Sequence, residues 1–147
     1  MKNRAGVTGR LADFAAGLRF EALAPSLLDR FKTYLLDGIG CGIHGTSLPW
    51  ARIVADFIKE QGGKGESTLW LQGFRGPAAN VALGLGVMIH SFDFDDYHNA
   101  KIHPGAPVIP AALSVGEAIG ASGREVLTAM VAGYETMIRI SLATGPN

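Results

Sequence analysis

The sequence contains a single cysteine among 147 residues, Cys41. One cysteine excludes an internal disulfide, and its apolar setting (LLDGIGCGIHG) suits a small buried thiol better than a nucleophile. An excess of either charge is missing as well, since 13 Lys and Arg balance 13 Asp and Glu. No overall field then draws the chain to nucleic acid or to an anionic membrane, so an anionic ligand has to be held by local groups. Charged residues make up only 18% against 48% hydrophobic ones, which excludes a solvated, disordered chain. No apolar run reads as the ~20 residues of a membrane span, and the basic start MKNRAGVTGR is not followed by a hydrophobic stretch of the secretory kind. A cytoplasmic protein is the expectation. Repeats, low-complexity tracts and linkers are also missing, so residues 1–147 read as one domain.

What is present is helical periodicity. Thr8 is a fair N-cap for a first helix whose Leu11, Phe14, Ala15 and Leu18 recur at helical spacing. Pro25 suits the first turn of a second helix carrying Leu28, Phe31, Leu35 and Ile39. Gly38, Gly40, Gly42 and Gly45 either weaken its far end or let a neighbour pack closely. A third helix starts after Ser47 with Pro49 in its first turn and an apolar stripe of Trp50, Ile53, Val54 and Phe57. QGGKGE (61–66) is a turn, and STLWLQ (67–72) is a short edge-strand candidate. PAANVALGLGVMIHSF then reads as a central helix whose small residues (Ala78, Ala82, Gly84, Gly86) admit tightly packed neighbours. APVIPAALSVGEAIG is another apolar helix. Ser122-Gly-Arg-Glu125 is a capping box opening a last helix that breaks at Gly145-Pro146. The fold class is all-α: a bundle-like domain of about six helices, with one short β piece near 67–72.

Between two apolar segments lies SFDFDDYHNAKIHPG (91–105). Asp93, Asp95 and Asp96 cannot all be buried and ionised without partners, because close like charges oppose one another's ionisation. Solvent exposure, a metal, or pairing with histidine and lysine would each accommodate them, and spacing alone leaves the three open. Asp95 and Asp96 read individually as caps on backbone amides, and His90 as a satisfied core histidine. His44 is read as structural. The chain is expected to leave the helix near Phe92 and Phe94 with both rings buried. His103 precedes Pro104 and so favours an extended backbone, and Pro107 fits the opening turn of the next helix. Free amides at that helix start, Gly105 and Ala106, suit a carboxylate. Asp93 and His103 beside such an anion form a proton-transfer pair for acid–base work on a polycarboxylate.

HSFDFDDYHNAKIHPGAPVIPAALSVGEAIGASGREVL, followed by AGYETMIRI, closely resembles the MmgE/PrpD family, which includes 2-methylcitrate dehydratase and cis-aconitate decarboxylase. LADFA (11–15), LLDGIGCGIHG (35–45) and GPAANVALGLG (76–86) extend the likeness over nearly the whole chain. The resemblance implies a mostly helical domain bearing half of an active site, with a smaller lid domain encoded downstream. It implies a metal-independent mechanism without cofactors: dehydration, decarboxylation or epimerisation of a small di- or tricarboxylic acid. Asp93 and His103 match the family's active-site positions as catalytic residues. Tyr97 stands where several members carry threonine, which keeps a hydroxyl but reshapes the pocket. Tyr97, Lys101, Gly105 and Ala106 are the expected substrate-binding residues, Lys101 by proximity alone. Family members are much longer and draw further catalytic histidine and lysine from the remainder. The chain is therefore expected to act as an N-terminal portion, as a homodimer or with a complementing C-terminal chain. The rival reading is a non-catalytic helical interaction module.

Overall fold

A computed structural model describes residues 6–145. Six helices run in the order α1 (Val7–Gly17), α2 (Pro25–Gly45), α3 (Pro49–Gln61), α4 (Ala78–Ile89), α5 (Gly105–Ile119) and α6 (Gly123–Ala143). A short 3-10 turn at Phe20–Ala22 joins α1 to α2. Between α3 and α4, strands β1 (Ser67–Leu69) and β2 (Phe74–Gly76) pair antiparallel with Ser67 opposite Gly76. The mostly α fold with one small β piece follows the sequence reading. The β piece is nonetheless a hairpin: β1 ends at Leu69, and its partner strand FRG carries no alternating pattern to announce it.

Prolines and a capping box set several boundaries. Pro25 and Pro49 sit in the first turns of α2 and α3, where a missing N–H costs nothing. Ser122 Oγ accepts from the Glu125 backbone N–H at 3.3 Å, while Glu125 Oε2 accepts from the Ser122 N–H at 2.7 Å. Thr8, by contrast, lies inside α1, whose N-cap is Gly6.

α4 is the centre of the packing, lying against α2, α3 and α5. Its small residues make that possible. A Cβ on Gly84 would come within 2.7 Å of Leu69 and 2.8 Å of Ile58. Where α2 meets α4, Gly42 and Gly45 follow the second of the two readings, close packing of a neighbour, and α2 continues through them to Gly45. A Cβ on Gly42 would press into the Trp70 ring at 2.5 Å, and one on Gly45 would strike the Met88 carbonyl.

α3 follows the same logic, which overturns its expected stripe. Its buried residues are Ala51, Ala55 and Ile58, whereas Trp50, Ile53 and Phe57 are exposed, Ile53 at 69%. The alanine face allows closer approach to α4 than the aromatic face could. The hairpin is tied to α5 by polar bonds: Ser67 Oγ donates to the Ser114 carbonyl at 2.6 Å, and Thr68 donates its N–H and hydroxyl to Glu117 at 2.8 and 2.7 Å. Burial alone would raise the Glu117 pKa, but the bonds from Thr68 and the Arg75 guanidinium outweigh it and hold this carboxyl below its ordinary value.

By length and apolarity α6 does meet the requirement for crossing a membrane, contrary to the sequence expectation that no run is long enough. The run is nevertheless interrupted by the Glu135–Arg139 ion pair (2.7 Å), and it sends Met130, Val131 and Tyr134 into the core. Tyr134 packs there against Phe31 and Tyr34, with ring centroids 5.0 and 5.7 Å away.

These contacts make the glycines of α2 unequal. Gly45→Ala should lower stability by roughly 1–3 kcal/mol through overpacking. Gly40→Ala, whose Cβ would meet nothing within 4 Å, should be neutral or stabilising by up to about 1 kcal/mol. Urea unfolding of both variants checks this. Equal effects would contradict the packing described.

Candidate functional site

The quoted segment leaves α4 at His90, whose N–H still bonds the Gly86 carbonyl at 3.0 Å, and re-enters a helix at Gly105. Side-chain bonds to Trp50 and Ser141 and a local bridge pin the loop between. Trp50 Nε1 donates to Ser91 Oγ at 2.9 Å, His98 and Ile102 form an isolated antiparallel bridge, and Ser141 Oγ donates to the Ala100 carbonyl at 2.7 Å. Asp93 adopts a left-handed backbone (φ 54°), as does Lys101 (φ 58°) at the turn of the bridge. Such conformations cost about 1–3 kcal/mol for a residue with a Cβ, least for Asp and Asn, and persist where surrounding contacts impose them. At Asp93 the turn directs the carboxylate back towards α5.

The result is a cluster of two carboxylates and two imidazoles. His103 Nε2 lies 3.2 Å from Asp93 Oδ1, and His90 Nε2 lies 4.0 Å from the same oxygen. On the other side, His90 Nδ1 is 2.8 Å from Asp95 Oδ1 and His103 Nδ1 is 3.4 Å from it. The rings of His90 and His103 meet edge to face at 4.8 Å, and the Tyr97 ring lies edge-on to His103 at 5.5 Å. Exposure runs in a gradient: the Asp93 side chain is 77% exposed, His103 24% and Asp95 1%. The cluster therefore has a wet end and a dry end.

Asp93 and His103 are thus brought together, with Tyr97 beside them. Lys101 lies on the exposed turn of the bridge. Gly105 and Ala106 are buried at the first turn of α5. The amide expected to be free at Gly105 is not, because it donates to Asp96 Oδ1 at 2.8 Å. Asp96 is the cap that the sequence suggested. Asp95 is not a cap but the partner of two imidazoles, and His90 is no core residue, with its side chain 46% exposed. The Phe92 and Phe94 rings are exposed as well, Phe94 at 82%, and do not bury as expected. Phe92 stacks on His44 at 4.4 Å instead.

His90 and Asp95 are the members that sequence reasoning missed as site residues. The available signal was that three close aspartates need partners. Their pairing across the αL turn at Asp93 left no periodic trace.

Asp96 itself is half-buried. Burial is the largest influence on its carboxyl and raises its pKa above the ordinary value, against the opposing pull of the Tyr134 hydroxyl and the Gly105 amide. The Tyr134 hydroxyl is in turn driven up by burial and by the neighbouring Asp96 charge. Cys41 lines a cavity of about 470 Å³ with Asp37, His44, Ile89, Phe92 and Phe94 on the flank of the loop. Cys41 is only partly buried, short of the buried thiol expected, yet burial is still the main influence raising its thiol pKa, and the charges of Asp37, Asp95 and Asp96 add to this.

The sequence profile of the MmgE/PrpD N-terminal domain matches residues 9–147. The chain belongs to the MmgE/PrpD family. Among curated relatives, the cis-aconitate decarboxylase-like protein oryM of Aspergillus oryzae is 32% identical over 146 residues, covering 93% of this chain and 30% of that protein. The cis-aconitate decarboxylase of Mus musculus is 32% identical over 139 residues, covering 91% and 28%. That of Aspergillus terreus is 28% identical over 147 residues, covering 95% and 30%. The chain thus spans about three-tenths of the length of the relatives it matches.

In this MmgE/PrpD domain, His90, Asp95 and His103 offer three ligand atoms within 4.8 Å of one another, a donor set that also suits a transition metal. Ligands about 2.1 Å from one ion keep roughly 3 Å or more between themselves. The 2.8 Å separation of His90 Nδ1 and Asp95 Oδ1 is instead that of a closed hydrogen bond.

The raised Asp96 carboxyl makes a signed prediction. A group whose folded pKa lies above its unfolded value removes stability as pH rises from 3.8 through the folded value. Asp96→Asn lacks that loss, so the difference in unfolding free energy between variant and wild type should move in the variant's favour across this window. Denaturant midpoints across an acid-to-neutral pH series measure it. A constant difference would contradict the burial described.

Proposed function

We propose that this domain carries the acid–base half of a lyase or isomerase site for a small di- or tricarboxylic acid. The observation that carries the reading is the contact of His103 Nε2 with Asp93 Oδ1 at 3.2 Å, at the solvent-facing end of the cluster. An imidazole and a carboxylate at that distance can share one proton, and each can exchange it with a substrate placed beside Asp93. In this reading the pair either removes a proton next to a carboxyl group as a hydroxyl departs, or delivers a proton to the carbon skeleton as carbon dioxide departs. Tyr97, exposed beside His103, offers a hydroxyl and an aromatic wall to the same substrate.

Membership of the MmgE/PrpD family supports chemistry of this class. The names of the relatives favour cis-aconitate over 2-methylcitrate as the first substrate to try. Because the chain spans only about three-tenths of those relatives, the remaining walls of the pocket are to be sought in polypeptide corresponding to the rest of their length.

The assay is decarboxylation of cis-aconitate and dehydration of 2-methylcitrate by this domain together with such polypeptide. Asp93→Asn and His103→Ala should each lower kcat by about 100-fold or more, the usual contribution of a positioned acid or base. Turnover unchanged in both variants would remove these residues from the chemistry.

A further inference from the structure

Asp95 is not explained by the roles given so far. Its side chain is 1% exposed, and its Oδ2 is buried without a hydrogen-bond partner among the described residues. A carboxylate withdrawn from water costs several kcal/mol unless donors surround it. A cap on α5 would justify the burial, but the first amide of that helix belongs to Asp96. The donors beside Asp95 are two imidazole nitrogens of the same kind, Nδ1 of His90 at 2.8 Å and Nδ1 of His103 at 3.4 Å. His103 Nδ1 is itself buried and makes no strict hydrogen bond, which leaves Asp95 as the group it faces.

An ionised carboxylate only accepts, so the nitrogens against buried Asp95 carry the protons, whereas the exposed Asp93 carboxylate takes its donors from water and can face a bare nitrogen. With Nδ1 protonated on both rings, each Nε2 is turned to the opposite side. There both face one atom, Asp93 Oδ1, at 3.2 Å from His103 and 4.0 Å from His90.

We propose that Asp95 is a positioning residue that accepts Nδ1–H from His90 and His103, fixing both imidazoles with Nε2 towards Asp93. This rests on the acid–base reading of Asp93 and His103 and extends it to two further residues. When His103 Nε2 takes a proton from a substrate carbon, the electron pair left there becomes the new carbon–carbon double bond as a hydroxyl departs with the electrons of its own C–O bond. The Nδ1–H remains on its ring. The imidazolium then lies between one exposed and one buried carboxylate, and no proton passes to Asp95. His90 presents a second Nε2 to the same Asp93 oxygen at 4.0 Å, outside hydrogen-bond distance.

Nitrogen-15 NMR of the histidine side chains tests this on the 147-residue chain without substrate, at about pH 8 where ordinary imidazoles are neutral. His98 is an internal control of opposite sign, because its Nδ1 accepts from the Ala100 N–H at 3.0 Å and so carries its proton on Nε2. The expected spectrum shows Nδ1 protonated in His90 and His103 and bare in His98. In Asp95→Asn the Nδ1–H signals of His90 and His103 should be lost or shift towards the Nε2–H form while His98 keeps its pattern. Nε2–H tautomers at His90 and His103 in the wild-type chain would overturn the proposal without recourse to any variant, and so would an unchanged pattern in a folded Asp95→Asn. Displacement of both Nδ1–H signals by stoichiometric zinc, reversed by a chelator, would also overturn it in favour of a metal site. The turnover assays and these spectra can fail independently: inactive chemistry leaves the tautomers standing, and wrong tautomers leave Asp93 and His103 standing.

Discussion

A carboxylate taken out of water has to be met by proton donors, and at Asp95 those donors are imidazoles rather than backbone amides. This pairing links the end of α4, which carries His90, to the start of α5, which follows His103. The intervening loop need only satisfy its ends. It does so with a left-handed turn at Asp93, a bridge between His98 and Ile102, and bonds to Trp50 and Ser141. The solvent-facing end of the cluster, at Asp93 and His103, inherits its geometry from the buried end.

That geometry depends in turn on how closely the helices pack. α4 carries His90 at its C-terminal end, and α4 sits where it does because glycine and alanine line its contacts with α2 and α3. The contact of Gly45 with the Met88 carbonyl is two residues from His90, so the packing of α2 bears almost directly on the cluster. On the other side, Asp96 holds the Gly105 amide and lies against Tyr134, which fixes the first turn of α5 to the aromatic core of α6. Three successive acidic side chains thus divide the work. Asp93 faces solvent, Asp95 aligns the imidazoles and Asp96 caps a helix.

Local chemistry was legible in the sequence and tertiary choices were not. Pro25, Pro49 and the Ser122–Glu125 box marked helix starts because the first turn has its own requirements, independent of the rest of the fold. The α3 stripe was misread because Trp50, Ile53 and Phe57 form the larger apolar face, yet the core takes the face that allows the closest approach, Ala51 and Ala55. In the candidate site, residue type and family likeness pointed to Asp93 and His103, and the fold brings these two together. The roles of Asp95 and His90 could not be read that way, because they follow from a positive φ at Asp93 that no periodicity encodes. The occupied Gly105 amide was hidden for the same reason, since only the folded loop shows that Asp96 reaches it first.

The dependence of the cluster on one buried carboxylate can be measured directly by a double-mutant cycle for stability between Asp95→Asn and His103→Gln. Groups that share a buried proton couple by about 0.5–3 kcal/mol, whereas independent sites add to within about 0.5 kcal/mol. The structure predicts coupling above 1 kcal/mol. Strict additivity of the two substitutions would contradict it, because Asp95 would then be buried for some reason other than holding His103.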